Sequence, residues 1–339
     1  MNAKQRMLLH FKPDTNAGVT VHSFMLQFDA LITQSVEFDT FVDTHSSNGK
    51  WMLVSDYCID DLNKANSCMV FSLIPHIDDL EKLQDAINTV APSDIKNSRN
   101  GNEEFVKLIN SYPIFNIGVV LDRNIRLATK ELEYFLIKSS NIRSQIAAWK
   151  SSTPEALGNY ERLERKMYLF DSKLKKINMK LLRNTEIAST IAAYLSAAVT
   201  LRGADLIMWM SDRDNMLTHL KFEEGYPLAF DFAHCLHHVI CESNGAKPGE
   251  LIFAVPEQQG EMWYDPLVRV PDFICGALAD FDMCANTTKM KFQPIVRQIF
   301  TNGEKNIFLN ISIENNSPDI KILRFKHREA CNLDTPKVY

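Results

Sequence analysis

Apolar and polar positions begin to alternate clearly at Val36. The run "VEFDTFVD" (36–43) predicts a strand ending in Asp43, and "THSSNGK" after it has turn chemistry with Asn-Gly inside. "WMLVSDYCI" predicts a second strand, "DDLNKAN" a polar turn, and "SCMVFSLIPH" a third strand, so the three form an antiparallel meander. The preceding segment has weak periodicity, and "VHSFMLQFDALI" within it suits a strand or a short helix. Past Pro75, "HIDDLEKLQDAINTVA" puts Ile77, Leu80, Leu83, Ala86, Ile87 and Val90 on one helical face, which Pro92 closes. A polar loop and a short helix lead to "IFNIGVVLD", an apolar run of the kind found in a strand buried on both faces, ending in Asp122.

Residues 123–200 have helical periodicity with one break near "SSTPEALGN". Within them Leu163, Met167, Phe170, Leu174, Ile177 and Leu181 are spaced 4, 3, 4, 3, 4, a heptad seam suited to a neighbouring helix or to a second copy of the chain. Another buried strand, "ADLIMWMSD", ends in Asp212; a histidine-rich helix, the strand-like "GELIFAVPE" and a helix containing Asp272 follow. The final stretch, with "NIFLNISIENNSPDIKILRF", predicts a hairpin. A three-strand meander, a helix, a buried strand, helices, a buried strand and a helix is the element order of the ribonuclease H-like fold, an α/β mixed sheet. The expected division is an N-terminal extension (1–35), two halves of a core (36–122 and 201–285) separated by a helical insertion (123–200), and a C-terminal helix and hairpin (286–339).

Charge changes the picture of that insertion. The whole chain is mildly acidic, at −5, yet residues 123–183 hold 14 Lys and Arg against 6 Asp and Glu. Such asymmetry points to a polyanion-facing segment on an acidic body. Arg162, Arg165, Lys166, Lys173, Lys175, Lys176, Lys180 and Arg183 are the candidate phosphate contacts, tracking a nucleic-acid backbone without reading bases. The alternative is a solvated helix face packed on its neighbour. Seven cysteines without a C-x-x-C pair argue against a disulfide framework or a zinc ribbon, and the N-terminus has no stretch of signal-peptide character; a cytoplasmic protein with no membrane association is expected.

The chemistry-bearing positions are carboxylates at element ends. In open sheets with parallel central strands, ligands bind beyond the carboxyl ends of those strands. Asp43 and Asp122 are expected to emerge side by side there, with Asp272, at the first turn of its helix directly after Pro271, facing them and Asp212 nearby. Carboxylate oxygens suit Mg²⁺ or Mn²⁺, and cations so held clamp the attacking and leaving oxygens of a phosphodiester. Each acid also has a plainer role: Asp43 in a turn, Asp122 opening a loop, Asp272 opposing a helix dipole.

The blocks "FVDTHSSNGKWMLVSDYCI", "SDIKNSR", "ADLIMWMSDRD" and "VRVPDFICGALADF" resemble the successive blocks of a family of bacterial and phage ribonuclease H-like domains, domain of unknown function 3800, over roughly residues 38–282. That family has Asp-Glu-Ser-Gly after an early strand, a middle Glu-x-Lys, an acid ending a later strand, and Ala-Asp-Leu in a late helix. The resemblance implies Asp43 as the first acid, Asp94 and Lys96 as the middle block with Lys96 steadying a phosphate, Asp212 as the strand acid and Asp272 as the helix acid. It implies a metal-dependent nuclease with a role in defence or a mobile element. Thr44, His45, Asp94 and Pro271 depart from the family's pattern and leave open a catalytically silent scaffold that dimerises and binds a partner.

Rival chemistries have less behind them. "HCLHHVICE" spaces His234 and His238, and His237 and Cys241, four apart as zinc-chelating helices do, but without the H-E-x-x-H pattern. A buried histidine-rich helix accounts for it, and His234 or His238 is a candidate proton donor to the acids. No phosphate-binding glycine loop and no nucleophile elbow is present.

Overall fold

The computed structural model describes residues 8–9, 19, 21–77, 79–95, 103–222, 225–256, 260–314 and 317–325. Seven strands form one mixed sheet: β1 (Lys50–Cys58), β2 (Ser67–Pro75), β3 (Phe115–Leu121), β4 (Leu206–Ser211), β5 (Glu250–Ala254), β6 (Asn306–Glu314) and β7 (Ser317–Ile322). Their order is β5-β4-β1-β2-β3-β6-β7. β2 is antiparallel to β1 and to β3; β4 is parallel to β1 and β5 to β4; β6 is parallel to β3 and β7 antiparallel to β6. The central strands are buried along almost their whole length, which is why their sequences read as continuous apolar runs.

Period-2 alternation splits the strand side chains between two helical layers. Trp51, Leu53, Tyr57, Phe71, Ile117 and Trp209 pack against α1 (Phe24–Gln34), α2 (Val36–His45), α5 (Glu131–Ser152), α6 (Leu157–Lys173), α7 (Met179–Thr200) and α9 (Leu228–Ser243). Met52, Val54, Val70, Val120 and Met210 face α3 (Leu80–Val90), α4 (Glu103–Ser111) and α10 (Asp265–Asp280); a single turn, α8 (Asn215–Thr218), follows β4. No helix among the described residues is long and apolar enough to cross a membrane.

Three expectations are corrected here. The run 36–43 is helical, because Phe38, Phe41 and Val42 make a buried face at i, i+3, i+4 and the Ser35 side chain caps the helix by accepting the Phe38 N–H at 3.1 Å. The meander therefore consists of β1, β2 and β3, with α3 and α4 between its last two members. Residues 1–35 are more than an extension: Phe24, Phe28 and Ile32 are fully buried, and Asp29 accepts from Tyr194 Oη at 2.7 Å and from the Leu8 and Leu9 amides. The 123–200 segment is no peripheral arm either, since α7 is buried from Leu182 to Thr200 and forms the middle of its layer. The heptad seam is spent inside the chain: Met167, Phe170 and Leu174 lie in the main core, and the helix breaks at 174–178.

Gly118 on β3 shows how tightly the sheet meets its neighbours. A Cβ there would stand 2.4 Å from a Phe308 ring carbon and 3.2 Å from Leu278. Gly118→Ala is expected to cost about 1–3 kcal/mol in a urea titration, as overpacked cores do; an unchanged midpoint would mean that the Phe308 ring yields freely.

Candidate carboxylate site

Residue 56 is the one carboxylate inside β1, and it is largely buried: Asp56 is 6% exposed. It follows Val54 on the α10 face of the strand. β1 and β4 run parallel with Ser55 opposite Ser211, so the next step along each strand sets Asp56 beside Asp212. The Asp212 amide continues the ladder by donating to the Ser55 carbonyl at 3.1 Å. Adjacent strands lie about 4.8 Å apart, so the two acids are close neighbours on one face. The third acid comes from above, where α10 crosses β1, β2 and β3 with Asp272 near its middle.

Asp272 is positioned from two sides. Its Oδ2 accepts the Ile95 N–H at 3.0 Å. One turn further along, Gly276 lets Ile95 lie against the helix, for a Cβ at that position would stand 2.8 Å from Ile95 Cγ2. Pro271 lies inside α10 and is buried.

Burial is the main cause that lifts the Asp56 carboxyl well above the usual range, followed by the charges of Asp272 and Asp212; hydrogen bonds from the Cys275 thiol and the Tyr57 amide oppose this in part. The Cys275 thiol also lies 3.6 Å from that of Cys68, and burial pushes it up. Cys58, across from Cys68 in the ladder, is raised to about 12, chiefly by burial. The three thiols serve as packing on the α10 side of the sheet.

The other predicted residues fall elsewhere. Asp43 lies on α2, its side chain 71% exposed, 3.3 Å from Arg202 Nε. Arg202 immediately precedes β4, so Asp43 belongs to the opposite end of the sheet from the acids. Asp122 is exposed and accepts the Asn124 N–H at 2.8 Å, the local turn its sequence also allowed. It lines a polar hollow with Arg123, Asn310, Asp319 and Lys321 at the far side of β3, and is not among the charges that act on Asp56. Asp94 is exposed, and the backbone amide of its neighbour Ile95 donates to Asp272. Lys96 lies outside the described residues.

The proposed phosphate contacts divide. Lys166 is buried against Asp231 at 2.7 Å, and Arg183 against Glu131 at 2.6 and 2.7 Å, so neither reaches a ligand. Lys180 pairs with Asp60 at 2.8 Å. Arg162 is half-buried, and Arg165, Lys173, Lys175 and Lys176 are exposed. All belong to the layer on the other face of the sheet from Asp56. So does α9, where burial lowers His234 and takes His238 to about 3; neither candidate donor is on the same face as the acids.

Sequence reasoning missed Asp56. The signal was present in "LVSDYC", because a carboxylate in an otherwise apolar strand is costly and asks for a reason. Among the described residues no three His, Cys, Asp or Glu side chains converge on one point as metal ligands do. No known protein family, curated protein or solved structure matches this chain.

Proposed function

We propose that the chain has a ribonuclease H-like core and hydrolyses phosphodiesters with the help of a divalent cation, using Asp56, Asp212 and Asp272. The observation that carries this reading is the Asp56 carboxyl buried on β1, in register with Asp212 at the end of β4 and under the charge of Asp272 on α10. Repulsion of this kind is what a bound cation relieves. The strand order β3-β2-β1-β4-β5, with its directions, supports the fold assignment. It also moves the first acid of the family resemblance from Asp43 to Asp56, whose successors Tyr57 and Cys58 stand where that family has Glu and Ser.

The donor chemistry fits Mg²⁺ or Mn²⁺, which take carboxylate oxygens. A cation there supplies charge neutralisation at the oxygens of the transferring phosphate. The chain's own contributions are distinct. The β1–β4 register fixes the spacing of Asp56 and Asp212, and the Ile95 amide orients Asp272. A catalytically silent scaffold is the second reading, favoured by the absence of three convergent ligands among the described residues.

Melting in EDTA, Mg²⁺ and Mn²⁺ separates the two. A cation at 100 times its dissociation constant stabilises by about 2.7 kcal/mol, and Asp212→Asn and Asp272→Asn should each abolish the shift. Labelled DNA and RNA, single- and double-stranded, should be cut in Mn²⁺ by the wild type and by Asp43→Asn and Asp122→Asn, but not by the Asp212 and Asp272 variants. A wild-type melting curve indifferent to both cations, together with no cleavage, establishes the silent scaffold.

A further inference from the structure

We infer that a nucleic-acid strand lands on Lys64, Lys289 and Lys291, beside the acids, and not on the cations of α6 and α7. This rests on the reading above for what happens after landing, and on its own geometry for the landing itself.

Lys64 lies in the turn between β1 and β2; Lys289 and Lys291 lie in the segment after α10. The ammonium groups of Lys64 and Lys291 stand 5.5 and 5.1 Å from the centroid of one buried ring, Phe292, so they share one platform. Lys289 and Lys64 reach the same carboxylate, Asp280, at 2.7 and 3.8 Å. Two ammonium groups thus share the Asp280 carboxylate, and the third, Lys291, is close enough to feel the charges of both. Their crowding is felt at Lys291, whose ammonium is lowered by burial first and then by the charges of Lys64 and Lys289.

The patch is tied to the acids through one residue. The Ile95 carbonyl accepts from Lys291 Nζ at 2.8 Å while the Ile95 N–H donates to Asp272. A phosphate held at Lys291 is therefore linked to the acid on α10 through a single residue, Ile95. The turn carrying Lys64 is itself anchored, because the Arg123 guanidinium donates to the carbonyls of Asp61 and Lys64. Ammonium groups on fixed backbone, next to acids that would repel an unguided polyanion, hold a phosphate backbone by charge without reading bases.

The test is fluorescence anisotropy with a labelled single-stranded 20-mer oligodeoxynucleotide across a salt series, in EDTA and again in Ca²⁺. For single strands each phosphate contact contributes about 0.7 to the log–log salt slope. Lys64→Gln with Lys291→Gln should lower the slope by about 1.4 and weaken binding roughly tenfold at low salt. The exposed Lys289→Gln, which leaves packing untouched, should lower it by about 0.7 on its own. Lys291→Arg should keep the wild-type slope, and so should Lys175→Gln with Lys176→Gln. Loss in the Lys175/Lys176 variant with none in the others would overturn the landing site, and so would failure of the wild type to bind in both conditions. Strand binding that needs these lysines, in a protein that cuts nothing, would uphold the landing site and remove the hydrolase reading; cleavage that ignores them would do the reverse.

Discussion

Lys138→Met is expected to destabilise the protein by about 3–5 kcal/mol, the usual consequence of removing one member of a buried ion pair. Lys138 on α5 and Glu186 on α7 are each 1% exposed, with Nζ and Oε1 2.6 Å apart. The ammonium also lies 4.8 Å from the centroid of the Phe232 ring. The Tyr134 and Thr190 hydroxyls also reach Glu186, at 3.1 and 3.3 Å, and Oε2 is buried without a hydrogen-bond partner among the described residues. Methionine fills the volume but leaves an anion in an apolar layer. Adding Glu186→Leu to Lys138→Met should restore most of the loss, because an apolar pair of similar size does not have to be desolvated as charges are. Urea midpoints of the two single variants and the double give the coupling directly, and a value near zero would show that the two charges do not depend on each other.

Asp56→Asn is expected to stabilise the protein in EDTA at neutral pH while removing the proposed cleavage activity. An unfolded chain gives up the Asp56 proton near the ordinary value of 3.8; the fold holds it to higher pH because of burial and the charges of Asp272 and Asp212. Across that interval the folded state binds more protons than the unfolded one. Stability therefore falls as pH rises from about 4, and it levels off above the folded value. Asparagine cannot titrate, so the difference between the two melting curves should grow with pH over that window and reach about 1–2 kcal/mol, the usual gain when a strained functional residue is relieved. Other raised carboxyls, such as Asp214 and Asp231, are common to both proteins and cancel in the difference. Cleavage in Mn²⁺ should fall by more than about 100-fold, the upper end for a residue that merely supports a metal ligand. A variant that is less stable at every pH, by a constant amount, would show that the three carboxylates do not press on one another.

Most strands were legible because burial on both faces leaves an unbroken apolar run, as in β1, β2 and β3. The run 36–43 was ambiguous because eight residues satisfy both periods in part. Phe41 breaks the alternation, and Ser35 caps a helix, but neither stands out without the packing that uses them. That single misreading shifted the strand count by one and drew attention to Asp43 rather than to Asp56. Asp212 does end its strand, while Asp272 lies in the middle of α10 (Asp265–Asp280) and not at the helix opening that Pro271 suggested. Asp122 ends a strand as expected, yet β2 intervenes between its strand and β1, and its side chain is taken by Asn124. The cationic stretch misled for another reason: Lys166 and Arg183 are neutralised by Asp231 and Glu131, 65 and 52 residues away, pairs that only the folded chain creates.

The parallel pairing of β3 with β6 has a consequence for how the protein is made. At synthesis rates of about 5–20 residues per second, the roughly 185 residues between Leu121 and Asn306 occupy a ribosome for about 10–40 s. Throughout that interval β3 can pair only with β2, and its other edge is open. Asn116 waits with it: buried in the finished sheet, it accepts from Ser72 at 2.7 Å and donates to Asn306 at 2.8 Å, a partner not yet translated. An open apolar edge with an unsatisfied amide is a template for the wrong strand, including that of a neighbouring nascent chain. The nascent protein is thus most vulnerable to aggregation late in its synthesis, and a chaperone that shields β3 until β6 emerges would raise its yield more than one acting on the released chain.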